Sequence, residues 1–177
     1  MYDVDDKDAV VPLNDVPQSS VGAPIPCVLA EERTVVVAYY LQNSPPGWNG
    51  RTVRLVSATS DGEPVALVRF AHCYAHMFGP PNDEAFSGHP LADRGLRPYG
   101  AFEIVNSSWI RKLERMNSVH PYHQPAKFRE LHHYALTFHD STFECVCREL
   151  SITTTRGSIE SVTPQMIELL GWNVSRS

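Results

Sequence analysis

LHHYALTFHDSTFECVCREL, residues 131–150, alternates apolar and polar side chains on both sides of a polar Asp140-Ser141 step. Alternation at period two marks a strand with two unlike faces, and two such runs around a turn read as a β-hairpin. A loop of Asp140-Ser141, or of the four residues 139–142, pairs Phe138 with Phe143, Leu136 with Cys145 and Tyr134 with Cys147. One face then carries Tyr134, Leu136, Phe138, Phe143, Cys145 and Cys147, an apolar set that belongs in a core. In that setting Cys145 and Cys147 act as small buried hydrophobes. The opposite face carries His133, Thr137, His139, Thr142, Glu144 and Arg148, and is expected to be exposed. A three-residue loop would shift the register and spoil the sorting.

Working outward, RTVVVAYYLQ (33–42) is β-branched and aromatic and reads as a buried strand. RTVRLVSATS (51–60) is expected to be a second strand and EPVALVRFAHCYAH (63–76) a third, with Asp61-Gly62 as the turn between them. The three would form an antiparallel meander. AFEIV (101–105) is a short strand. NSSWIRKLERMN (106–117) is the clearest helix, capped by Asn106, Ser107 or Ser108, with Trp109, Leu113 and Met116 on one face and Asn117 closing it. Pro125 starts a short helix over 125–131. In VTPQMIELLGW, Thr163 is the expected cap, Pro164 the first helical position and Gly171 the stop. The fold class is α+β: a mostly antiparallel sheet of about seven strands, meander plus C-terminal hairpin, with two or three short helices. Residues 1–26, with Pro17, Pro24 and Pro26, read as an extended acidic arm, ordered only where it packs on the body. Residues 27–177 read as a single globular domain.

The chain has 177 residues, 42% hydrophobic and 20% charged, ordinary values for a globular protein that do not point to a fibre or to disorder. No apolar run approaches the ~20 residues of a membrane-spanning helix. The start, MYDVDDKDAVV, lacks the basic and apolar regions of a signal peptide, so a cytoplasmic location is expected. Cys27, Cys73, Cys145 and Cys147 are too few for a disulfide scaffold and contain no C-x-x-C, so free thiols are expected. The net charge of −5 argues against a general nucleic-acid binder, yet the charge is uneven. Residues 1–32 carry −6, whereas residues 94–129 carry +5. That asymmetry fits an acidic arm lying over a basic face, a basic face that meets an anionic partner, or a solvated helix face plus a polar tail.

All eight histidines lie between His72 and His139. The densest stretch is HCYAHMFGPPNDEAFSGHPL (72–91), and the Pro- and Gly-rich segment 77–100 that contains most of it forbids a long regular element. Loops of this length in a compact domain tend to bind or react. Asp83, Glu84 and His89 from this loop are expected to share a polar pocket with His139 and Glu144 of the hairpin, which the register above makes diagonal neighbours. His89 and His139 are the candidate bases, Glu84 and Glu144 the candidate acids, since a histidine–carboxylate pair does acid/base work near neutral pH. His89, His139 and Glu144 are also the candidate ligands of a divalent metal. Arg94 is placed to hold an anionic group. Arg111, Lys112 and Arg115 would present a basic partner surface. The bland readings stand beside these: satisfied or wet histidines, a turn or helix cap at Asn82-Asp83-Glu84, and an Arg94 ion pair with Asp93 or Glu103. No phosphate loop, dinucleotide fingerprint or G-x-S-x-G is present, so no nucleotide cofactor is expected.

FGPPNDEAFSGHPL, NSSWIRKLERMNSVHP and FHDSTFEC together resemble segments of bacterial proteins of uncharacterised function, over roughly residues 70–147. That resemblance implies no activity. Two classes of function remain. The first is a binding or protein-interaction module that uses the 77–100 loop and the basic 94–129 surface to take a protein partner or a small anionic ligand. The second is a small metal-dependent or acid/base enzyme, a hydrolase or lyase. No membrane contact is expected, nucleic acid is disfavoured, and a homo-oligomer is left open.

Overall fold

The computed structural model describes residues 2–43 and 55–172. The strands are β1 Ala9–Pro12, β2 Cys27–Ala30, β3 Thr34–Tyr40, β4 Glu63–Ala71, β5 Ala75–Gly79, β6 Ala101–Val105, β7 His132–Thr137, β8 Thr142–Cys147 and β9 Glu149–Gly157. The helices are α1 Ser108–Asn117 and α2 Ile159–Leu169, with 3₁₀ turns at Phe86–Gly88, Ala92–Arg94 and Pro125–Glu130. The strands build two antiparallel sheets, β1-β6-β7-β8-β5 and β2-β3-β4-β9.

The two sheets face one another. Val35, Val37 and Tyr39 of β3 and Ala66, Val68 and Phe70 of β4 pack on Leu136, Phe143, Cys145 and Cys147 of β7 and β8. Because side chains alternate along a strand, β3 sends Val36, Ala38 and Tyr40 the other way, where α2 covers them with Ile159, Val162 and Met166. The unbroken apolar run of β3 is thus the mark of a strand buried on both faces. The outer face of the five-stranded sheet is covered as well. Phe102, Ile104, Ala135 and Val146 lie beneath Tyr2, Phe86, Leu91, Leu96, Trp109 and Phe128.

Several expectations are corrected here. Residues 55–60 are irregular, with a turn at Ala58-Thr59 rather than a strand, and 51–54 lie outside the described residues; β3 pairs directly with β4. The expected third strand, 63–76, is divided. His72 has a φ of 53°, a left-handed conformation that breaks the extended chain and sends β4 and β5 into different sheets. In the hairpin, Leu136 pairs with Phe143 and Tyr134 with Cys145, a register two residues from the one expected. A shift of two preserves the faces, which is why the apolar set is sorted as anticipated. The opposite face is not exposed: His133, Thr137, Thr142 and Glu144 are all buried. The final helix starts a turn early. Ser158 caps it in a reciprocal pair with Ser161, and Pro164 lies inside it. Ser107 does cap α1, but Met116 is exposed and the residue after Asn117, Ser118, ends the helix in a right-handed conformation.

The acidic N-terminal segment lies along α1. β1 adds to the sheet edge beside β6. Asp8 accepts a 2.6 Å hydrogen bond from the Ser108 backbone N–H at the start of α1, and Asp5 pairs with Arg111 at 2.5 Å. A carboxylate there satisfies an otherwise unpaired helix N–H and faces the positive end of the helix dipole.

Candidate functional site

Three groupings of polar side chains have a geometry that bears on function. The first surrounds Glu144, on β8 opposite Ala135 of β7. Its Oε2 accepts from the Tyr2 hydroxyl at 2.5 Å and lies 2.9 Å from His133 Nε2, while Oε1 lies 3.2 Å from His89 Nε2. His89 Nδ1 accepts from the Leu91 backbone N–H, so its Nε2 is the nitrogen that carries a proton toward Glu144. His133 Nδ1 lies 2.8 Å from Ser107 Oγ, the same oxygen that caps α1. Tyr2 stacks on Trp109, and both rings meet His133 edge-on. Burial alone would raise the Glu144 carboxyl, but the hydrogen bonds from His133, His89 and Tyr2 and the charge of His133 outweigh it and bring it down to about 2. The Tyr2 hydroxyl is pushed far up by burial and by that carboxylate. Both histidine rings are 0% exposed and Glu144 3%. The cluster ties the N-terminal segment, the 86–91 loop, α1, β7 and β8 to one buried charge.

The second grouping is at the surface. His139, in the β7–β8 loop, places Nδ1 3.0 Å from Asp83 Oδ2. The Tyr99 hydroxyl donates to the same carboxylate oxygen and lies 3.0 Å from His139 Nδ1. The Tyr99 bond, with a further one from His139, holds the Asp83 carboxyl below its ordinary range, and the carboxylate pushes the Tyr99 hydroxyl up to about 12. The backbone closes the same contact, with the Asp83 N–H donating to the His139 carbonyl.

The third grouping lines a cleft of about 520 Å³ formed by Glu32, Arg33, His72, Cys73, Tyr74, Lys127 and Arg148. It lies where the chain passes twice between the sheets, at 72–74 after β4 and at Arg148 after β8. Arg148 N–H to the Ala71 carbonyl and Tyr74 N–H to the Val146 carbonyl tie the two passages together, and Cys73 N–H to the Arg33 carbonyl ties the first to the β2–β3 turn. Arg148 reaches Glu130 at 3.2 Å, while its Nε is buried without a partner. Cys73 Sγ lies 3.4 Å from Cys145 Sγ at the inner side of the cleft residues.

The expected common pocket is therefore two separate pairings. His89 joins Glu144 in the interior, and Asp83 joins His139 at the surface. Glu84 and Arg94 are exposed, and Glu103, one of the two carboxylates expected to pair with Arg94, instead meets His132 at 2.7 Å. Lys112 and Arg115 are exposed on α1, whereas Arg111 is engaged by Asp5 and the Asn106 carbonyl. Among the described residues, no three His, Cys, Asp or Glu side chains are grouped so as to hold a metal ion. Sequence reasoning missed Tyr2, Tyr99 and Arg33, and it counted Lys127 in the basic 94–129 surface and Arg148 on the outer hairpin face without bringing them to one cleft. It did place His133 of β7 and Glu144 of β8 on one face of the hairpin, a local signal of the buried cluster. Comparison with protein families, with curated proteins and with solved structures finds no match for this chain.

Proposed function

We propose that this protein is a binding module for a small anionic ligand, held in the cleft between the two sheet crossovers. One observation carries the reading. The cleft lining brings together Arg33, Lys127 and Arg148 with one acid of its own, Glu32, while Glu130 pairs with Arg148 and Glu149 lies 4.0 Å from His72 at the margin. Its volume is in the range of small-molecule sites, and a concave cationic surface focuses its field on an anion. Guanidinium groups add paired N–H donors suited to carboxylate or phosphate. The buried Arg148 Nε is a donor that still wants an acceptor. The Glu144 cluster does not compete for the role, because its histidines are sealed from solvent. In this reading the 77–100 loop mainly roofs the five-stranded sheet through Phe86, Leu91 and Leu96.

The test is a melting curve at low ionic strength with inorganic phosphate, citrate or, as the control, chloride. A ligand at 100 times its Kd stabilises by about 2.7 kcal/mol. Phosphate or citrate should raise the Tm, and Arg33→Ala with Lys127→Ala should remove the rise, while Arg94→Ala leaves it intact. A rise that survives the double substitution, or none with any anion, would overturn the reading. Hydrolysis of ester or phosphoester probes that vanishes in His139→Gln would favour acid/base catalysis at the Asp83–His139 pair instead.

A further inference from the structure

Cys73 is the cysteine of the cleft lining, half-buried, with its Sγ 3.4 Å from Cys145 Sγ and 3.4 Å from the Ala75 carbonyl. Cys145 is 0% exposed and is reached only through its neighbours. Two free thiols at this separation need to approach by little more than an ångström to reach the ~2.05 Å of a disulfide. The arrangement is asymmetric: one sulfur faces the cationic cleft and the other waits behind it. From this geometry we infer that Cys73 and Cys145 form a redox site, with Cys73 the attacking thiol, Cys145 the resolving thiol, and a small anionic disulfide the oxidant. The choice of an anionic oxidant rests on the cleft reading above, whereas the thiol pair rests on the sulfur geometry.

The chemistry balances in two exchanges. The Cys73 thiolate attacks one sulfur of R–S–S–R; the bond from Cys73 to that sulfur forms, the R–S–S–R bond breaks, and RS⁻ leaves with the proton given up by Cys73. Cys145 then attacks Cys73 Sγ, the Cys73–Cys145 bond forms, the mixed disulfide bond from Cys73 to the R–S sulfur breaks, and the second RS⁻ leaves with the Cys145 proton. The two cysteines lose two electrons and the small disulfide gains them. The division of labour agrees with the thiol acidities. The hydrogen bond from Cys145 holds the Cys73 thiol below its ordinary value, while burial drives the Cys145 thiol well up.

The experiment treats the reduced full chain with oxidised glutathione, an anionic disulfide, and in parallel with neutral 2-hydroxyethyl disulfide, followed by alkylation, intact mass and peptide mapping. Wild type should lose two hydrogens and yield a peptide linking Cys73 to Cys145. Cys145→Ala should stop at a glutathione adduct on Cys73, and Cys73→Ser should give no link and react at least tenfold more slowly. Cys27→Ser should behave as wild type. Arg33→Ala with Lys127→Ala should slow glutathione and leave the neutral reagent unaffected. Alkylation of the wild type provides a readout that needs no variant to fold: Cys73 should be labelled ahead of Cys27. A link through Cys27 or Cys147, or labelling of Cys73 no faster than Cys27, would overturn the inference. Equal rates with both reagents would overturn the anionic selectivity and with it the cleft reading, leaving the thiol pair. Absence of the link while phosphate or citrate still binds would overturn the thiol pair alone.

Discussion

Glu144 holds a charge in the middle of a sheet, and three donors make that tolerable. A buried carboxylate with its hydrogen bonds made is stable, but removing one member leaves the others unpaired in a medium that cannot solvate them. The carboxyl sits at about 2 in the folded protein against an ordinary 4.5. Its stabilising contribution is therefore complete above pH 4.5 and lost as the pH falls toward 2, in total roughly 3 kcal/mol at ~1.4 kcal/mol per pKa unit. Glu144→Gln should cost about 3 kcal/mol at pH 7 in urea denaturation. The gap between variant and wild type should narrow through that acid window. A gap that stays constant down to pH 2 would show that the loss comes from packing rather than charge.

At the scale of elements, α1 depends on residues a hundred positions away. Asp8, with a side chain 0% exposed, accepts from the first N–H of the helix, and Ser107 accepts from Ile110. Asp5 contributes an exposed pair with Arg111 and accepts from the Lys7 backbone N–H, contacts that solvent largely screens or replaces. Asp8→Ala should therefore destabilise by about 2 kcal/mol, in line with loss of a helix cap and a favourable helix-dipole contact, whereas Asp5→Ala should cost clearly less. Chemical denaturation of the two variants checks the order, and equal losses would refute it. The basic segment and the acidic arm thus meet each other along this helix, which leaves Lys112 and Arg115 as its exposed cations.

Across the whole molecule, the two sheets are joined by two very short crossovers, His72 to Tyr74 and Arg148 alone. Phe70 sits at the shared interface, 5.1 Å from Phe143 of the opposite sheet. Neither sheet can keep its inner face dry without the other, so they should melt as one unit. Phe70→Ala should lower stability by about 3–5 kcal/mol. The far-UV signal of the strands and the tryptophan fluorescence should still change together. Separate midpoints would mean that one sheet survives alone.

The alternation of 131–150 was enough to place Tyr134, Leu136, Phe138, Phe143, Cys145 and Cys147 on one face, because period-two geometry is a local property of any strand. A capped helix start within Asn106–Ser108 and the buried run of β3 were legible for the same reason: each depends on neighbours a few residues apart. Whether a face is wet depends on what lands on it. His133 and Glu144 read as exposed because alternation carries no information about Tyr2, 142 positions from Glu144, or about the 86–91 loop. The break at His72, which assigns β4 and β5 to different sheets and so creates the cleft beside Cys73, has no Gly or Pro to announce it. The sequence by itself determined which side chains share a face. Only the tertiary structure decided which faces are covered, which histidine meets which carboxylate, and which cations and thiols converge, because those contacts join segments that chain geometry leaves independent.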